Sequence, residues 1–279
     1  MQSFENKVVF VTGAASGLGL ALSESFAKQG ALVMMADNNP ESLLDAHKRI
    51  AGISSKTRSF VCDVSDRDSL EAAACETKKQ LGNVSILINN AGVGIGGGPG
   101  QASPEQWKAA IDINILGPVF GVDIFLDMLR QQEGNAHIVN TGSMAGFIPS
   151  DRMLPYSATK HAIVGYSESL SIALAVEGIG VSVLCPGFVK TNILSTTQRY
   201  SEGSGPDPQQ AAAMKALLEE GLSAEVVAEL TLDSIRKNRM YIFTDALLHE
   251  TLKQKQKQMD QDCLDCLEFL TAAPVSSVG

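Results

Sequence analysis

The chain has 279 residues, of which 44% are hydrophobic and 19% charged, so it can bury a substantial core and is not a disordered polymer. Its formal net charge is −9, and its only dense group of basic residues is Lys253, Lys255 and Lys257, which argues against nucleic acid or membrane partners. No apolar run reaches the ~20 residues of a membrane span, no secretory signal is evident, and the cysteine count is odd, which together predict a cytoplasmic protein with free thiols.

Short apolar runs alternate along the chain with longer segments of helical period. The runs are apolar almost throughout, as in parallel strands that are covered on both faces. The predicted strands are 8–11, 31–36, 60–62, 84–88, 138–139, 181–184 and 241–243. The predicted helices are 18–29, 40–50, 65–81, 104–130, 156–177 and 224–237. This alternation predicts an α/β fold, a doubly wound Rossmann-type parallel sheet of about seven strands with helices on both faces.

Two segments interrupt or follow the alternation. Residues 192–222 are rich in Ser, Gly, Pro and Gln around an apolar patch (Met214, Leu217 and Leu218), and we interpret them as a flap that orders over a bound substrate. Residues 245–279 follow the last strand, and we interpret them as an appended helix with a frayed terminus. Because no long linker divides the chain, the sequence predicts one domain over 1–279.

The first strand leads into a glycine-rich turn and then a helix, the arrangement that places a pyrophosphate at a helix N-terminus. Its glycines are Gly13, Gly17 and Gly19; a second glycine-rich string begins at Gly92 but precedes no helix. Asp37 ends the second strand, where a carboxylate binds the adenosine ribose hydroxyls and repels a 2′-phosphate. No basic residue stands at position 16 or 38 to offset that charge. The sequence therefore predicts NAD as cofactor in preference to NADP.

A second group of residues has the spacing of an acid–base pair. Tyr156 and Lys160 are four residues apart, so they share one face of a helix, and Ser143 follows a strand upstream. A phenol with an ordinary pKa of about 10 is a poor base at pH 7, but a neighbouring ammonium, aided by the positive ring of an oxidised nicotinamide, would stabilise its phenolate. The pattern predicts that Tyr156 takes a proton from an alcohol while hydride leaves to the cofactor.

In these motifs the sequence resembles the short-chain dehydrogenase/reductase family over roughly residues 6–245. The resemblance implies an oxidoreductase with a nicotinamide cofactor and a homotetrameric or dimeric assembly. By resemblance, the residues of the catalytic site are Asn114, Ser143, Tyr156 and Lys160. The residues implied to bind the cofactor are Gly13, Ser16, Gly17, Leu18, Gly19, Asp37, Asp63, Val64, Asn90, Ala91, Gly92, Tyr156, Lys160, Pro186, Gly187, Val189 and Thr191.

Several alternatives remain beside this interpretation. A catalytically silent NAD-binding sensor or scaffold is the main rival, because a fold alone does not make an enzyme. Cys263 and Cys266 have the spacing of half a zinc site without a second pair, so no metal is predicted. The expected substrate is a neutral, largely apolar secondary alcohol or ketone (aryl, alicyclic or steroid-like), bound beside 93–96, 145–154 and the flap. Apolar residues on more than one face of the helices 104–130 and 156–177 favour a homo-oligomer.

Overall fold

In the computed structural model the described residues are 1–132, 135–190, 215–245 and 247–272. The chain divides into two compact units, Met1–Thr244 and Asp245–Gly279. The first contains the sheet and the candidate site, and the described part of the second is one helix. The single-domain organisation that the sequence suggests stays a prediction.

A seven-stranded parallel sheet forms the centre of the first unit, in the order β3-β2-β1-β4-β5-β6-β9. Its strands are β1 (Val8–Thr12), β2 (Leu32–Asp37), β3 (Thr57–Val61), β4 (Ile86–Asn89), β5 (His137–Thr141), β6 (Gly180–Cys185) and β9 (Tyr241–Phe243). A separate parallel pair joins β7 (Val189–Lys190) to β8 (Leu222–Ser223), which the sequence does not predict. The strand order reverses between β1 and β4, and such a switch point opens a crevice at the carboxyl ends of the strands.

Helices cover both faces of the sheet, and each face carries its own core of buried side chains. They are α1 (Gly17–Lys28), α2 (Pro40–Ala51), α3 (Arg67–Leu81), α4 (Pro104–Ile111), α5 (Gly117–Arg130), α6 (Leu154–Leu174) and α7 (Ala224–Arg236). Phe26 and Leu232 are fully buried in one core, and Phe10 packs on Phe125 in the other with ring centroids 4.5 Å apart. The doubly wound fold predicted from the alternating pattern is confirmed.

The helix predicted over 104–130 is continuous but not uniform. α4 and α5 are joined by a π-helical turn, Asp112–Leu116, which contains Asn114. The span Pro104–Arg130 has 27 residues and a mean hydropathy of 1.7 in its most apolar window, so the expectation that no segment has the length and apolarity of a membrane span is wrong. The reason is packing. Phe125 and Leu129 are fully buried in the core, and a helix that packs in a protein core can be as long and as apolar as one that spans a membrane.

Candidate active site

A cavity of about 450 Å³ opens at the switch point of the sheet. Loops at the carboxyl ends of β1 to β6 form its wall, because parallel strands all end at the same edge. The predicted site residues that line it are Gly13, Ser16, Gly17, Leu18, Asp37, Asp63, Val64, Asn90, Ala91, Gly92, Ser143, Tyr156, Lys160, Pro186, Gly187 and Val189. The fold therefore brings both predicted groups of residues, the glycine-rich turn and the acid–base pair, to one cavity.

The glycine-rich turn fits a pyrophosphate. Gly13 has φ +65°, and a Cβ there would lie 2.9 Å from Ala91 Cα, so a larger residue would collide with the neighbouring strand end. Ser16 is the residue before α1, and its side chain makes no hydrogen bond to the first turn of the helix. The N–H groups that an anion would bind are therefore not capped by Ser16. The turn thus offers backbone N–H groups and the positive end of a helix dipole to the cavity.

Gly19 has a different role from the one the sequence suggests. It does not line the cavity, and a Cβ at this position would lie 2.1 Å from the carbonyl oxygen of Gly13. Only glycine allows α1 to pack this closely against the preceding turn. Gly19 therefore supports the conformation of the turn from outside the cavity.

Asp37 lies at one end of the cavity and makes two contacts with the backbone. Its carboxylate accepts hydrogen bonds from Ala15 N at 3.0 Å and from Asn39 N at 2.9 Å. The first bond joins the end of β2 to the glycine-rich turn. The side chain is half-buried, and its negative charge forms part of the cavity wall.

At the other end of the cavity lie Ser143, Tyr156 and Lys160. Lys160 is 4% exposed, and its Nζ donates to the carbonyl oxygen of Thr141 at 2.8 Å. The same Nζ lies 5.6 Å from the centroid of the Tyr156 ring. Burial lowers the pKa of Lys160 to about 8, so at pH 7 it still carries most of its positive charge.

Burial raises the pKa of Tyr156 above its ordinary value, while a side-chain hydrogen bond with Ser143 acts in the opposite direction. Lys160 alone therefore does not lower this pKa in the arrangement described, and the lowering expected with an oxidised nicotinamide beside Tyr156 stays a prediction. The physical reason is that desolvation disfavours the phenolate, and the ammonium is directed at Thr141. A phenol that keeps its proton is suited to donate it to a carbonyl oxygen.

Asn114 is fully buried beside this group and does not line the cavity. Its Oδ1 accepts from Val93 N, and its Nδ2 donates to Val93 O, each at 2.9 Å. The same Nδ2 donates to Thr159 Oγ1 at 3.1 Å, and Thr159 Oγ1 donates to the carbonyl oxygen of Tyr156 at 2.9 Å. Asn114 thus connects the π-helical turn to the first turns of α6.

Thr12 and Asn90 join the strand ends that frame the cavity. Thr12 Oγ1 accepts from Asn90 N at 2.9 Å and from Ala91 N at 3.0 Å. Asn90 Nδ2 donates to Thr12 O at 3.0 Å. These bonds fix the end of β1 against the end of β4, and they hold the turn in place from the side opposite Asp37.

The sequence misses several residues of the site and misplaces others. Thr141 and Thr159 were not predicted, although Thr141 ends a parallel strand at the cavity edge, where polar residues gather. Phe147, expected to line the substrate pocket, instead packs against Tyr241 and Phe243, with ring centroids 6.0 and 5.3 Å away. Leu218 of the predicted flap does line the cavity. Thr191 and residues 192–214 lie outside the described residues.

Comparison with known proteins agrees with this geometry. Residues 7–201 match the short chain dehydrogenase family. The chain is 32% identical to 15-hydroxyprostaglandin dehydrogenase [NAD(+)] of Rattus norvegicus over 76% of this chain and 79% of the relative. A short-chain dehydrogenase/reductase from Burkholderia phymatum, solved with NAD, superposes with a TM-score of 0.87 at 32% identity, over 94% of this chain and 97% of that one. Actinorhodin polyketide ketoreductase, solved with NADPH, gives a TM-score of 0.77 at 28% identity, over 89% of this chain and 99% of the other.

Proposed function

We propose that this chain, which belongs to the short-chain dehydrogenase family of oxidoreductases, transfers hydride between NAD and a secondary alcohol or ketone. The observation that carries the proposal is one cavity with Asp37 at one end and Ser143, Tyr156 and Lys160 at the other. Its volume of about 450 Å³ lies within the range of ligand clefts. The rival interpretation, a silent NAD sensor, predicts binding without turnover.

The residues present fit a nicotinamide cofactor. The turn at Gly13 and Gly17 would hold the pyrophosphate, Asp37 the adenosine ribose, Asp63 and Val64 the adenine side, and Pro186, Gly187 and Val189 the nicotinamide side. When bound, such a cofactor supplies the acceptor or donor of hydride. A relative named for NAD and a neighbour solved with NAD support the preference, while the NADPH complex shows that the fold alone does not decide it.

The acid–base work falls to this chain's own side chains. In alcohol oxidation the Tyr156 phenolate oxygen takes the hydroxyl proton and becomes the phenol, and in ketone reduction the Tyr156 phenol gives its proton to the carbonyl oxygen and becomes the phenolate. Ser143 hydrogen-bonds the reacting oxygen and holds it beside Tyr156. Lys160 supplies positive charge that favours the phenolate once the proton has left. Asn114, through Thr159, fixes the backbone of Tyr156.

The substrate that fits best is neutral and largely apolar. Val93, Ile113, Val189 and Leu218 give the cavity apolar wall, and Lys160 is the only cation among its described lining residues. A carboxylate or phosphate group on the substrate would have no cation pair to bind it beside Tyr156. A panel of alicyclic, aryl and steroid-like secondary alcohols, with matched carboxylated analogues, tests this preference; faster turnover of the charged analogues would contradict it.

The cofactor preference is tested by measuring kcat/KM with NAD and with NADP. We expect the wild-type enzyme to have the higher kcat/KM with NAD. Asp37→Asn and Asp37→Ala should both reduce the ratio of kcat/KM with NAD to that with NADP, because each removes the charge that repels a 2′-phosphate. Asp37→Ala also removes both acceptors that hold Ala15 and Asn39, so it should weaken both cofactors, by roughly 10- to 100-fold for lost charge-assisted bonds. Asp37→Asn keeps one acceptor and should lose less. Equal use of the two cofactors by wild type would contradict the proposal.

A further inference from the structure

The helix of the second unit, α8 (Leu247–Ala272), is exposed around its whole circumference from residue 253 to 271. Several of its large apolar side chains are in contact with water, among them Met259 (55% exposed), Leu267 (50%), Phe269 (74%) and Leu270 (67%). In proteins most of the stability of a helix comes from packing an apolar face rather than from its intrinsic propensity. The helix therefore has the features of an element that pairs with a partner.

Six residues along one face of α8 follow a coiled-coil repeat, while the exposed Leu264, Leu267 and Phe269 lie outside it. Spacings of four and three residues alternate without a break along one face, the average of 3.5 that keeps a seam facing a second helix. The residues of this seam are Leu252, Gln256, Met259, Cys263, Cys266 and Leu270. Five of the six have no charged or amide group, and Gln256 is the single polar member, a pattern typical of seams that pair in one register.

The charges beside the seam are arranged in two matched rows. Lys253 and Asp260 flank it on one side, and Lys255 and Asp262 flank it on the other, each pair seven residues apart. Gln256 and Gln258 donate to Asp260 and Asp262 at 2.7 Å, and a neutral amide leaves the charge of the carboxylate in place. Each row therefore changes from positive to negative charge in the same direction along the helix.

We propose that α8 pairs antiparallel with α8 of a second copy of this chain. In an antiparallel pair each flanking row faces the same row of the partner, running in the opposite direction. Lys253 then faces Asp260 and Lys255 faces Asp262, twice each because of the two-fold symmetry. The midpoints of the two rows differ by two residues, about 3 Å along the axis at 1.5 Å per residue, so one two-fold axis serves both.

A parallel pair is disfavoured by the same charges. It would bring the basic half of α8, with Lys253, Lys255 and Lys257, beside the basic half of its partner. The acidic halves, which continue to Asp265 and Glu268, would also lie side by side. Antiparallel pairing places the basic half of each helix beside the acidic half of its partner and makes the two helix dipoles antiparallel. The side-chain charges and the dipoles therefore both favour it.

Disulfide trapping of the full-length chain tests the register. In the antiparallel pair Leu252 faces Cys263 of the second copy, whereas in a parallel pair Cys263 faces Cys263. We use a background without the exposed thiols of Cys75 and Cys266 (Cys75→Ser, Cys266→Ser) and oxidise with diamide at micromolar protein. Leu252→Cys should give a covalent dimer on a non-reducing gel. Gln254→Cys, on the outer face of the helix, is the matched control and should stay monomeric.

The contribution of the flanking charges is tested in the Leu252→Cys background. Lys253→Glu with Lys255→Glu should lower the cross-linked fraction roughly tenfold, because four weak attractions become repulsions. Adding Asp260→Lys and Asp262→Lys restores opposite charges and should restore cross-linking. Lys257→Glu, which faces away from the seam, should change it little. Circular dichroism confirms that each variant is folded.

Three outcomes would overturn the proposal. A dimer cross-linked through Cys263 without Leu252→Cys would show parallel pairing. Equal cross-linking of the 252 and 254 cysteines would show random collision. The absence of a cross-link from folded Leu252→Cys protein at micromolar concentration would show that α8 does not pair with a second copy in solution.

Discussion

At the scale of single residues, the site depends on side chains that hold backbone as much as on those that face the cavity. Asp37 holds the glycine-rich turn through Ala15, and Asn114 holds Thr159 and, through it, Tyr156. These contacts join elements that are far apart in sequence, so neither residue spacing nor residue type predicts them. Most of the cavity-lining residues, in contrast, belong to local motifs and could be predicted before the fold was known, although Thr141 could not.

The role proposed for Tyr156 can be tested against a second tyrosine of the same helix. Tyr156→Phe keeps the ring and removes only the hydroxyl, so turnover should fall by about 10²- to 10⁴-fold, the usual worth of general acid–base catalysis. NAD binding, measured by fluorescence titration, should change little. Tyr166→Phe is the control: burial raises the pKa of Tyr166 to about 12, and this residue does not line the cavity.

A Tyr156→Phe enzyme that keeps more than about a tenth of wild-type turnover would contradict the assignment, given that range. Loss of turnover together with loss of NAD binding would show instead that the ring or its packing was disturbed. Lys160→Ala should differ from Tyr156→Phe in this respect. We expect it to weaken both turnover and cofactor binding, because its ammonium lies in the same cavity.

At the scale of elements, the sequence predicts which segments are strands and helices better than where they end. Strand β3 runs over Thr57–Val61, whereas the apolar run is 60–62, because Thr57, Arg58 and Ser59 pair with β2 through their backbone whatever their side chains. The π-helical turn at Asp112–Leu116 adds one residue to the α-helical repeat and so shifts the apolar pattern after it. Asn114 of this turn bonds to Val93, a contact between distant segments.

Strand β5 contains a histidine whose protonation should affect stability. His137 is 3% exposed, and burial lowers its pKa to about 3. One ring nitrogen, Nε2, lies 2.8 Å from Ser182 Oγ, and Ser182 Oγ donates to the carbonyl oxygen of Arg239. Since the hydroxyl proton is used there, Nε2 of the neutral ring is the donor to Ser182. The ring thus joins β5, β6 and the segment before β9 in its uncharged form.

The sign of the pH effect follows from proton binding. Between the ordinary histidine pKa of about 6.5 and the folded value of about 3, the unfolded chain binds a proton that the folded chain does not. The free energy of unfolding should therefore fall as the pH drops through this window. His137→Gln should flatten that dependence, measured by urea unfolding at pH 4 to 7, whereas the exposed His249→Gln should not. An identical slope in wild type and His137→Gln would contradict a buried neutral ring.

At the scale of the whole molecule, the doubly wound sheet was predictable because strand–helix alternation leaves few alternatives. The cavity followed from it, since polar and glycine-rich segments end neighbouring parallel strands. The substrate side was not predictable, because which of the residues near 145–154 face the cavity depends on packing: Phe147 joins an aromatic cluster with Tyr241 and Phe243 instead. The direction of a side chain in a loop is set by the residues that surround it in the fold, and the sequence alone does not identify those residues.

The homo-oligomer expected from the apolar faces of the helix 156–177 remains a prediction, and the structure identifies where to test it. Ile163 and Val164 of α6 are buried inside the first unit, whereas Ile172 is 79% exposed and Val176, just beyond the helix, is 92% exposed. The two exposed residues are four apart and so lie on one face, directed away from the sheet. We expect this face to be covered by a second copy through a contact separate from α8, because large apolar groups that remain in water favour association.

Ile172→Glu with Val176→Glu should lower the mass measured by light scattering at micromolar concentration, because each copy would bring two carboxylates to an apolar contact. Leu44→Glu on α2 is the matched control, since Leu44 is also exposed (52%) but stands alone on its face among polar residues. It should leave the mass unchanged. If the α6 double variant keeps the wild-type mass while the α8 charge variants reduce it, the assembly rests on the tail helix alone. A monomeric wild-type chain would refute both contacts.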